Sequence, residues 1–162
     1  MRVALTAVAA VAALATAGAA WALSPPPLVL TAASGTQRAV QGPYCVDNSH
    51  TGECFEPADV VVTRFLRARS HERLTIGLRN GTVLHDDPMC NPDCDGTASL
   101  YRLVRGRKHF LRRTTLTESH MFIRAGWMPG RYEIQVELVY FATADGRRGS
   151  TSGSVGVRVP AG

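Results

Sequence analysis

Apolar residues recur at every second position in the C-terminal part of the chain. Every second position from Tyr132 to Tyr140 is apolar or aromatic, and the positions between them begin with Glu133, Gln135 and Glu137. A period of two places all the apolar side chains on one face of an extended segment. The pattern therefore predicts a strand with one face buried and the other in contact with solvent.

A second alternating run lies close to the end of the chain. Val155, Val157 and Val159 alternate there with small or charged residues. Residues 145–153, between the two runs, are rich in Gly, Ser and Arg, and this composition predicts a loop. Two alternating runs joined by such a segment predict an antiparallel hairpin that closes the domain.

Shorter runs of the same kind fill the rest of the chain. No segment after the N-terminal stretch has a helical period, and Gly, Pro, Asn and Ser separate the runs. Many short strands with closely spaced turns favour two packed sheets over alternating strands and helices. We therefore predict an all-β, immunoglobulin-like antiparallel β-sandwich. The further strands are predicted at residues 28–31, 38–44, 59–66, 73–79, 99–104, 109–113 and 121–124.

The start of the strand at Tyr132 carries a local signature of that fold class. Gly130, Arg131 and Tyr132 resemble the tyrosine corner of immunoglobulin-like sandwiches, in which a buried ring sends its hydroxyl to upstream backbone. Ile134 occupies the position at which an antibody domain has its second cysteine. We therefore expect this chain to share the architecture of immunoglobulin-like domains without the disulfide of antibody domains.

The N-terminal stretch predicts export. Met1 and Arg2 precede a run of mostly small apolar residues, and Ala20 and Ala22 have the size that a signal peptidase recognises. We predict a helical signal peptide at residues 1–22 and no stable membrane span after its removal. A retained membrane anchor is the alternative, because the run could reach the length of a bilayer span.

The rest of the chain is predicted to be one domain, residues 23–162. Removal of the first 22 of the 162 residues leaves 140 and lowers the formal net charge from +5 to +4. Its four cysteines predict two disulfides in an oxidising compartment, with three possible connectivities. Pairing across the nearest turns, Cys45 with Cys54 and Cys90 with Cys94, is the simplest arrangement.

Four short elements of the chain resemble a group of exported proteins. Gly42-Pro43-Tyr44-Cys45 and Cys54-Phe55-Glu56, together with the Gly130-Arg131-Tyr132 strand and the valine-rich terminal strand, resemble small exported actinobacterial proteins of high-GC Gram-positive bacteria. Those proteins usually have Trp where this chain has Val46 and Asp where it has Glu56, and often carry a lipid-bearing cysteine that this chain lacks. The resemblance implies an exported β domain and no particular activity.

An acidic segment invites a metal-binding interpretation. Residues 85–96 are predicted to form a long structured loop, and Asn91, Asp93 and Asp95 have the spacing of the first half of a calcium-binding loop. Arg102 stands where a bidentate glutamate would complete the site. An irregular calcium site is the alternative to a solvated loop, and we predict no bound metal or other cofactor.

The cysteines of this loop admit a second metal-binding interpretation. Cys90 and Cys94, with His85 and Met89, could form a copper or zinc site. An oxidising compartment favours the disulfide over free thiols. A loop stiffened in this way would also suit insertion into a protease cleft.

One segment is strongly basic. Residues 99–113, which include Tyr101 and Phe110, contain no acidic residue. Such a patch is predicted to attract an anionic cell-wall polymer weakly, although a solvated strand face explains it equally well. Export removes the chain from nucleic acid, which we do not expect as a ligand. The cations are Arg102, Arg105, Arg107, Lys108, Arg112 and Arg113.

No catalytic constellation is readable from the sequence. Thr151 occupies the centre of a Gly-Ser-Thr-Ser-Gly segment, where a nucleophile elbow requires a nucleophile between strand and helix. The five histidines are scattered. We therefore predict a noncatalytic binding or structural module, secreted or on the extracellular side of the cell envelope, whose partner is an anionic polymer or another envelope protein. The alternative is a secreted protease inhibitor that uses the loop around Met89 to Cys94.

Overall fold

Extended segments account for the secondary structure of the chain wherever the structure describes it. The computed structural model describes residues 24–48, 51–57, 60–84, 96–143 and 146–162. The predicted signal peptide and residues 85–95 of the predicted loop lie outside these ranges. The strands are β1 (Leu28–Ala32), β2 (Gly35–Arg38), β3 (Val40–Asn48), β4 (Thr51–Phe55), β5 (Phe65–Arg67), β6 (Arg73–Leu78), β7 (Gly81–Val83), β8 (Gly96–Val104), β9 (Arg107–Leu116), β10 (Phe122–Arg124), β11 (Gly130–Ala142) and β12 (Arg148–Val159).

These strands form two sheets packed as a sandwich, which confirms the predicted all-β fold class. The smaller sheet has the order β10-β6-β1-β2, and its neighbours are antiparallel. The larger sheet has the order β4-β3-β12-β11-β8-β9, again antiparallel. Two short strands join it from outside this path: β7 pairs with β11, and β5 pairs with β12 in parallel.

The core lies between the sheets and follows from the alternation along β11. Tyr132 and every second residue through Tyr140 are at most 2% exposed. Most of these β11 side chains belong to one hydrophobic cluster with side chains of the smaller sheet. Leu30 of β1 and Leu74 of β6 are fully buried in this cluster. Each such aliphatic side chain contributes roughly 1.5–3 kcal/mol relative to full exposure. The strand predicted from Tyr132 to Tyr140 and its buried face are therefore confirmed.

The hairpin of β11 and β12 is confirmed, but the predicted loop is too long. β12 begins at Arg148, which pairs with Phe141, so most of residues 145–153 belong to the strand. Gly and Ser have little strand propensity. Pairing with β11 on one side and β3 on the other outweighs that propensity, because it satisfies the backbone groups of β12 from both sides.

Two other predicted strands differ from the observed ones. Residues 38–44 are divided at Ala39, where the chain passes from β2 in the smaller sheet to β3 in the larger one. The Ala39 amide donates to the Leu28 carbonyl at this crossing. Residues 60–64 are irregular, and the strand predicted over 59–66 is limited to β5. Val61 in that segment is 64% exposed, because no neighbouring strand pairs with it to select a buried face.

The basic segment forms the predicted hairpin, although its turn is shorter than expected. Arg105 and Gly106 alone connect β8 to β9, with φ angles of 49° and 77°. Two consecutive positive φ angles are typical of the two-residue hairpin turn whose twist matches that of the strands. Arg107 and Lys108, which were expected in the turn, are therefore the first residues of β9.

A tyrosine corner is present at the start of β11. The Tyr132 hydroxyl donates to the Met128 carbonyl at 2.5 Å, four residues upstream. Gly126 makes room for the ring, because a Cβ at this position would lie 2.1 Å from Tyr132 Cζ. The hydrogen bond satisfies the one polar group of a side chain that is 1% exposed.

One of the two predicted disulfides falls on described residues and is confirmed. Cys45 and Cys54 are directly opposite each other in the hairpin of β3 and β4, and they are bonded with a Cα–Cα distance of 4.1 Å. Cys90 and Cys94 lie outside the described residues. The disulfide is consistent with an extracellular protein. In the described part of the chain, no helix is long and apolar enough to cross a membrane.

Candidate functional site: a groove on the outer face of the larger sheet

The outer face of the larger sheet carries a groove of about 660 Å³. Its floor is the middle of β12, including Ser150, Ser152 and Ser154, beside the segment of β11 from Gln135 to Val139. The β3–β4 hairpin borders one side and the start of β8 borders the other. The volume is within the range of ligand-binding clefts, roughly 300–1,000 Å³.

The groove exists because one central strand has short side chains while its neighbours do not. β12 contributes only Gly, Ser and Thr from Gly149 to Ser154. On the β3–β4 side, the outward-facing pair is Cys45 and Cys54, whose disulfide lies beside Ser150. The difference in side-chain size across adjacent strands produces a trough. The rings of Tyr44 and Phe55 stack at a centroid distance of 4.9 Å, and their register with Thr151 and the buried Leu138 assigns them to the inner face of the sheet.

A β-bulge shapes the wall where β3 meets β12. Tyr44 pairs with Thr151 and Gln41 with Gly153, so Gly42 and Pro43 together face a single residue of β12. Proline has no amide hydrogen to donate to the ladder, and a bulge is one of the few places where a sheet tolerates it. The Gly-Pro-Tyr-Cys element of the sequence is therefore the segment that bends β3 along the groove.

Side chains hold the bulge in place. The Ser152 hydroxyl donates to the Pro43 carbonyl at 2.9 Å. The Gln41 amide nitrogen donates to the Ser152 carbonyl and to the Thr151 hydroxyl, both at 2.9 Å. A Cβ on Gly42 would lie 2.5 Å from Ser152 Oγ, so a larger residue would displace the hydroxyl that bonds to Pro43. These contacts fix the shape of the wall.

The polar lining of the groove is acidic, in contrast to the basic chain as a whole. Among the described residues that line it, the charged side chains are the carboxylates of Glu56 and Glu137, both exposed. The Thr97 hydroxyl donates to Glu137 Oε2 at 3.4 Å. Gln135 lies on the floor, and its amide nitrogen donates to Glu133 Oε1 at 3.1 Å. The groove thus offers carboxylate, amide and hydroxyl groups beside the Cys45–Cys54 disulfide.

The cations predicted as a binding patch are placed on the β8–β9 hairpin, away from the groove lining. Strand register puts them on two faces. Arg102 pairs with the buried Tyr132 and Arg112 with the buried Leu100, so both lie on the inner face of the sheet. Lys108 alternates with these positions and lies on the outer face. The sequence alone could not separate the two groups.

Four of the six cations make contacts within the domain. Lys108 Nζ donates to Glu133 Oε1 at 2.6 Å, and Arg113 Nε donates to Ser99 Oγ at 3.1 Å. Arg112 donates to the backbone carbonyl of Arg124. Arg102 reaches Met128 Sδ at 3.6 Å. Arg105 and Arg107 are exposed at the tip of the hairpin, so these two are the best placed for an external anion.

A cationic and aromatic cluster lies at one end of the sandwich. The imidazole of His71 stacks on the exposed indole of Trp127 at a centroid distance of 3.8 Å. Loss of water around the imidazole, followed by the positive charges of Arg124 and Arg112, lowers the pKa of His71 below its usual 6.5. Burial and the charge of Arg124 also lower the pKa of Arg112. The cluster therefore favours neutral His71 in the folded protein.

The metal-binding interpretations fall on residues 85–95, outside the described ranges. Within those ranges, no group of three His, Cys, Asp or Glu side chains is placed to hold a metal ion. The loop assigned to protease inhibition lies in the same undescribed segment. No protein family, curated protein or solved structure matches this chain.

Sequence reasoning did not find the groove. The stretch of Gly, Ser and Thr at its floor was interpreted as a loop, because in sequence it has the composition of one. One signal could have identified it. The alternating valines of the last strand follow this stretch directly, so the strand could be extended back through the small residues to Arg148. Only pairing with β3 and β11 shows that the small residues form a floor.

Proposed function

We propose that this chain is an exported, noncatalytic binding module of the cell envelope or extracellular space, and that it takes its ligand in the groove on the outer face of the larger sheet. The groove carries the proposal because its floor and bulged wall are held by sheet hydrogen bonds and by Gln41 and Ser152. A site that is rigid before binding loses little conformational entropy when it is filled.

The lining favours a neutral, polyhydroxylated chain, that is, a glycan. Sugar hydroxyls both donate and accept hydrogen bonds, which suits the carboxylates of Glu56 and Glu137 and the amide of Gln135. The apolar face of a sugar ring can pack on the apolar part of the lining, which includes Val139 and the Cys45–Cys54 disulfide. Carboxylates in the lining repel a densely anionic ligand. An anionic cell-wall polymer is therefore proposed for the β8–β9 hairpin and not for the groove.

A screen of neutral oligosaccharides tests the proposal. Soluble oligomers of glucose, xylose, mannose and N-acetylglucosamine would be titrated into the disulfide-bonded domain and binding measured by calorimetry or NMR. Ser150→Tyr would place a large side chain on the groove floor from an exposed strand position, where aromatic residues are well tolerated. We expect it to weaken binding at least about tenfold, a loss of about 1.4 kcal/mol.

Ser119→Tyr is the matched control, because Ser119 is an exposed serine in the turn before β10 and does not line the groove. It should bind as the parent does. If the parent binds none of the oligosaccharides, the ligand class is wrong. If a ligand binds parent and Ser150→Tyr equally, the location is wrong.

A further inference from the structure

The last strand of the larger sheet has an open edge. β9 is at the end of the order β4-β3-β12-β11-β8-β9, and in the described part of the chain it pairs with β8 alone. A strand in this position has backbone amide and carbonyl groups directed away from its one neighbour. β9 is also long, extending from Arg107 to Leu116. Its backbone can therefore accept an additional strand.

The exposed part of this edge is its first half. A bulge between Leu100 and Tyr101 of β8 interrupts the register, because Phe110 pairs with Tyr101 and Arg112 with Leu100. Leu111 is the extra residue of β9 at this point. Beyond the bulge, Arg112 bonds to the Arg124 carbonyl and Leu116 is buried. All five residues of β9 from Arg107 to Leu111 are exposed. A docked strand would thus be short.

The two faces of this edge segment differ in chemistry. Phe110 is 58% exposed on the outer face, where its ring meets Tyr101 edge-on at 5.7 Å. Lys108 shares this face but is already paired with Glu133. Arg107 and His109 alternate with them on the other face, and both are exposed. The edge therefore presents an aromatic ring on one face, and the guanidinium of Arg107 with the imidazole of His109 on the other.

Charge decides which strand can pair here. Residues 96–116, which include the whole β8–β9 hairpin, contain no Asp or Glu. Pairing of two copies edge to edge would oppose cations to cations, and directly opposed like charges destabilise a strand pair. An extended segment in which acidic residues alternate with apolar ones has the complementary arrangement: its acids face Arg107 and its apolar side chains face Phe110.

We infer that the Arg107–Leu111 edge of β9 is a docking site for an extended acidic segment of a partner protein, which adds as a strand to the larger sheet. Main-chain hydrogen bonds to the edge provide the affinity, and the alternation of acidic and apolar side chains provides the specificity. The site is separate from the groove and does not depend on it, because no residue of β9 lines the groove.

A synthetic peptide of alternating Glu and Val, capped at both ends, is the probe. Binding to the disulfide-bonded domain would be measured by fluorescence anisotropy, and amide hydrogen exchange would be recorded with and without peptide. We expect binding together with slower exchange at alternate amides of β9, those directed to the open edge. A peptide in which every Val is replaced by Pro keeps the charge but lacks half of the donors, and it should bind at least about tenfold more weakly.

Charge-matched variants test the location. Arg105→Glu with Arg107→Glu should weaken binding of the alternating peptide at least about tenfold. Arg38→Glu with Arg79→Glu makes the same change in net charge at exposed arginines of the smaller sheet and the following turn, and it should leave binding unchanged. Phe110→Ser should also weaken binding, whereas Val61→Ser, at another exposed apolar residue, should not.

Three results would overturn the inference. Equal binding by the proline peptide and the alternating peptide would show that charge alone is recognised. Equal slowing of exchange in β9 by polygalacturonate, an anionic polysaccharide without amide groups, would assign the edge to a polymer. Unchanged exchange throughout β9 on saturation with the alternating peptide would exclude strand addition.

Discussion

Lys108 Nζ donates to Glu133 Oε1 at 2.6 Å and joins the second residue of β9 to the central strand β11. The Glu133 side chain is 4% exposed and the Lys108 side chain 41%. A nearly buried carboxylate on the outer face of the sheet thus depends on a cation that the sequence suggested was free in a turn. Gln135 provides a second donor to the same oxygen.

Lys108→Gln should therefore destabilise the domain, unlike substitutions at the neighbouring exposed cations. Loss of the charged partner leaves Glu133 with Gln135 alone, and an undersatisfied buried charge costs about 1–2 kcal/mol once the exposure of Lys108 is considered. Arg107→Gln is the control and should change the free energy of unfolding by less than about 0.5 kcal/mol. Urea unfolding of both variants measures the difference. Equal stability would mean that Glu133 does not rely on the ion pair.

The tyrosine corner should contribute to stability through its hydroxyl. Tyr132→Phe removes the donor to the Met128 carbonyl and should lower the free energy of unfolding by about 0.5–1.5 kcal/mol. Gly126→Ala should cost more, about 1–3 kcal/mol, because its Cβ would overlap the buried ring. Thermal unfolding of the two variants and the parent tests the order. The expected order would be contradicted if the Tyr132→Phe variant were less stable than the Gly126→Ala variant.

Stability should depend on pH through His71. Its pKa in the folded protein is below 6.5, so the unfolded chain takes up the proton first as the pH falls. The stability that neutral His71 contributes is therefore fully present above about pH 6.5. It is lost as the pH falls from there through the pKa of His71 in the folded protein. His71→Asn should flatten the stability profile in this window, since Asn tolerates the φ of 57° at this position.

His120→Asn is the comparison for His71, because His120 also stacks on an aromatic ring, that of Phe122. An NMR titration gives the His71 pKa directly, and a value at or above 6.5 would refute the assignment of the effect to desolvation and to Arg124 and Arg112.

The hairpin tip should attract anionic cell-wall polymer by long-range electrostatics. Arg105→Gln with Arg107→Gln should weaken cosedimentation with purified cell wall without unfolding the domain, because both side chains are exposed and Lys108 is retained. Binding should largely disappear between 0.1 and 1 M salt, as the Debye length falls from about 10 Å to about 3 Å. Arg38→Gln with Arg79→Gln is the charge-matched control. If the tip variant binds cell wall as well as the parent does, the cations have no role in binding and are solvated residues of the strand surface.

Some features were determined by the sequence itself, because they depend on local periodicity. The alternation from Tyr132 to Tyr140 selects a strand and its buried face, and Gly130-Arg131-Tyr132 identifies the corner, since neither requires knowledge of a distant partner. The proximity of Cys45 and Cys54 across a short polar segment likewise indicated their disulfide. In each case the interacting groups lie within one strand or one hairpin.

Other features were decided by tertiary structure, because they depend on which strands become neighbours. The small residues from Gly149 to Ser154 have the composition of a loop, and they form a groove floor only because β3 and β11 pair with β12 on both sides. Lys108 resembles a solvated cation until β8 and β9 are added beside β11 and bring it to Glu133. Strand order is set by long-range packing of the two sheets, and no local pattern of hydrophobicity encodes which backbone lies beside which.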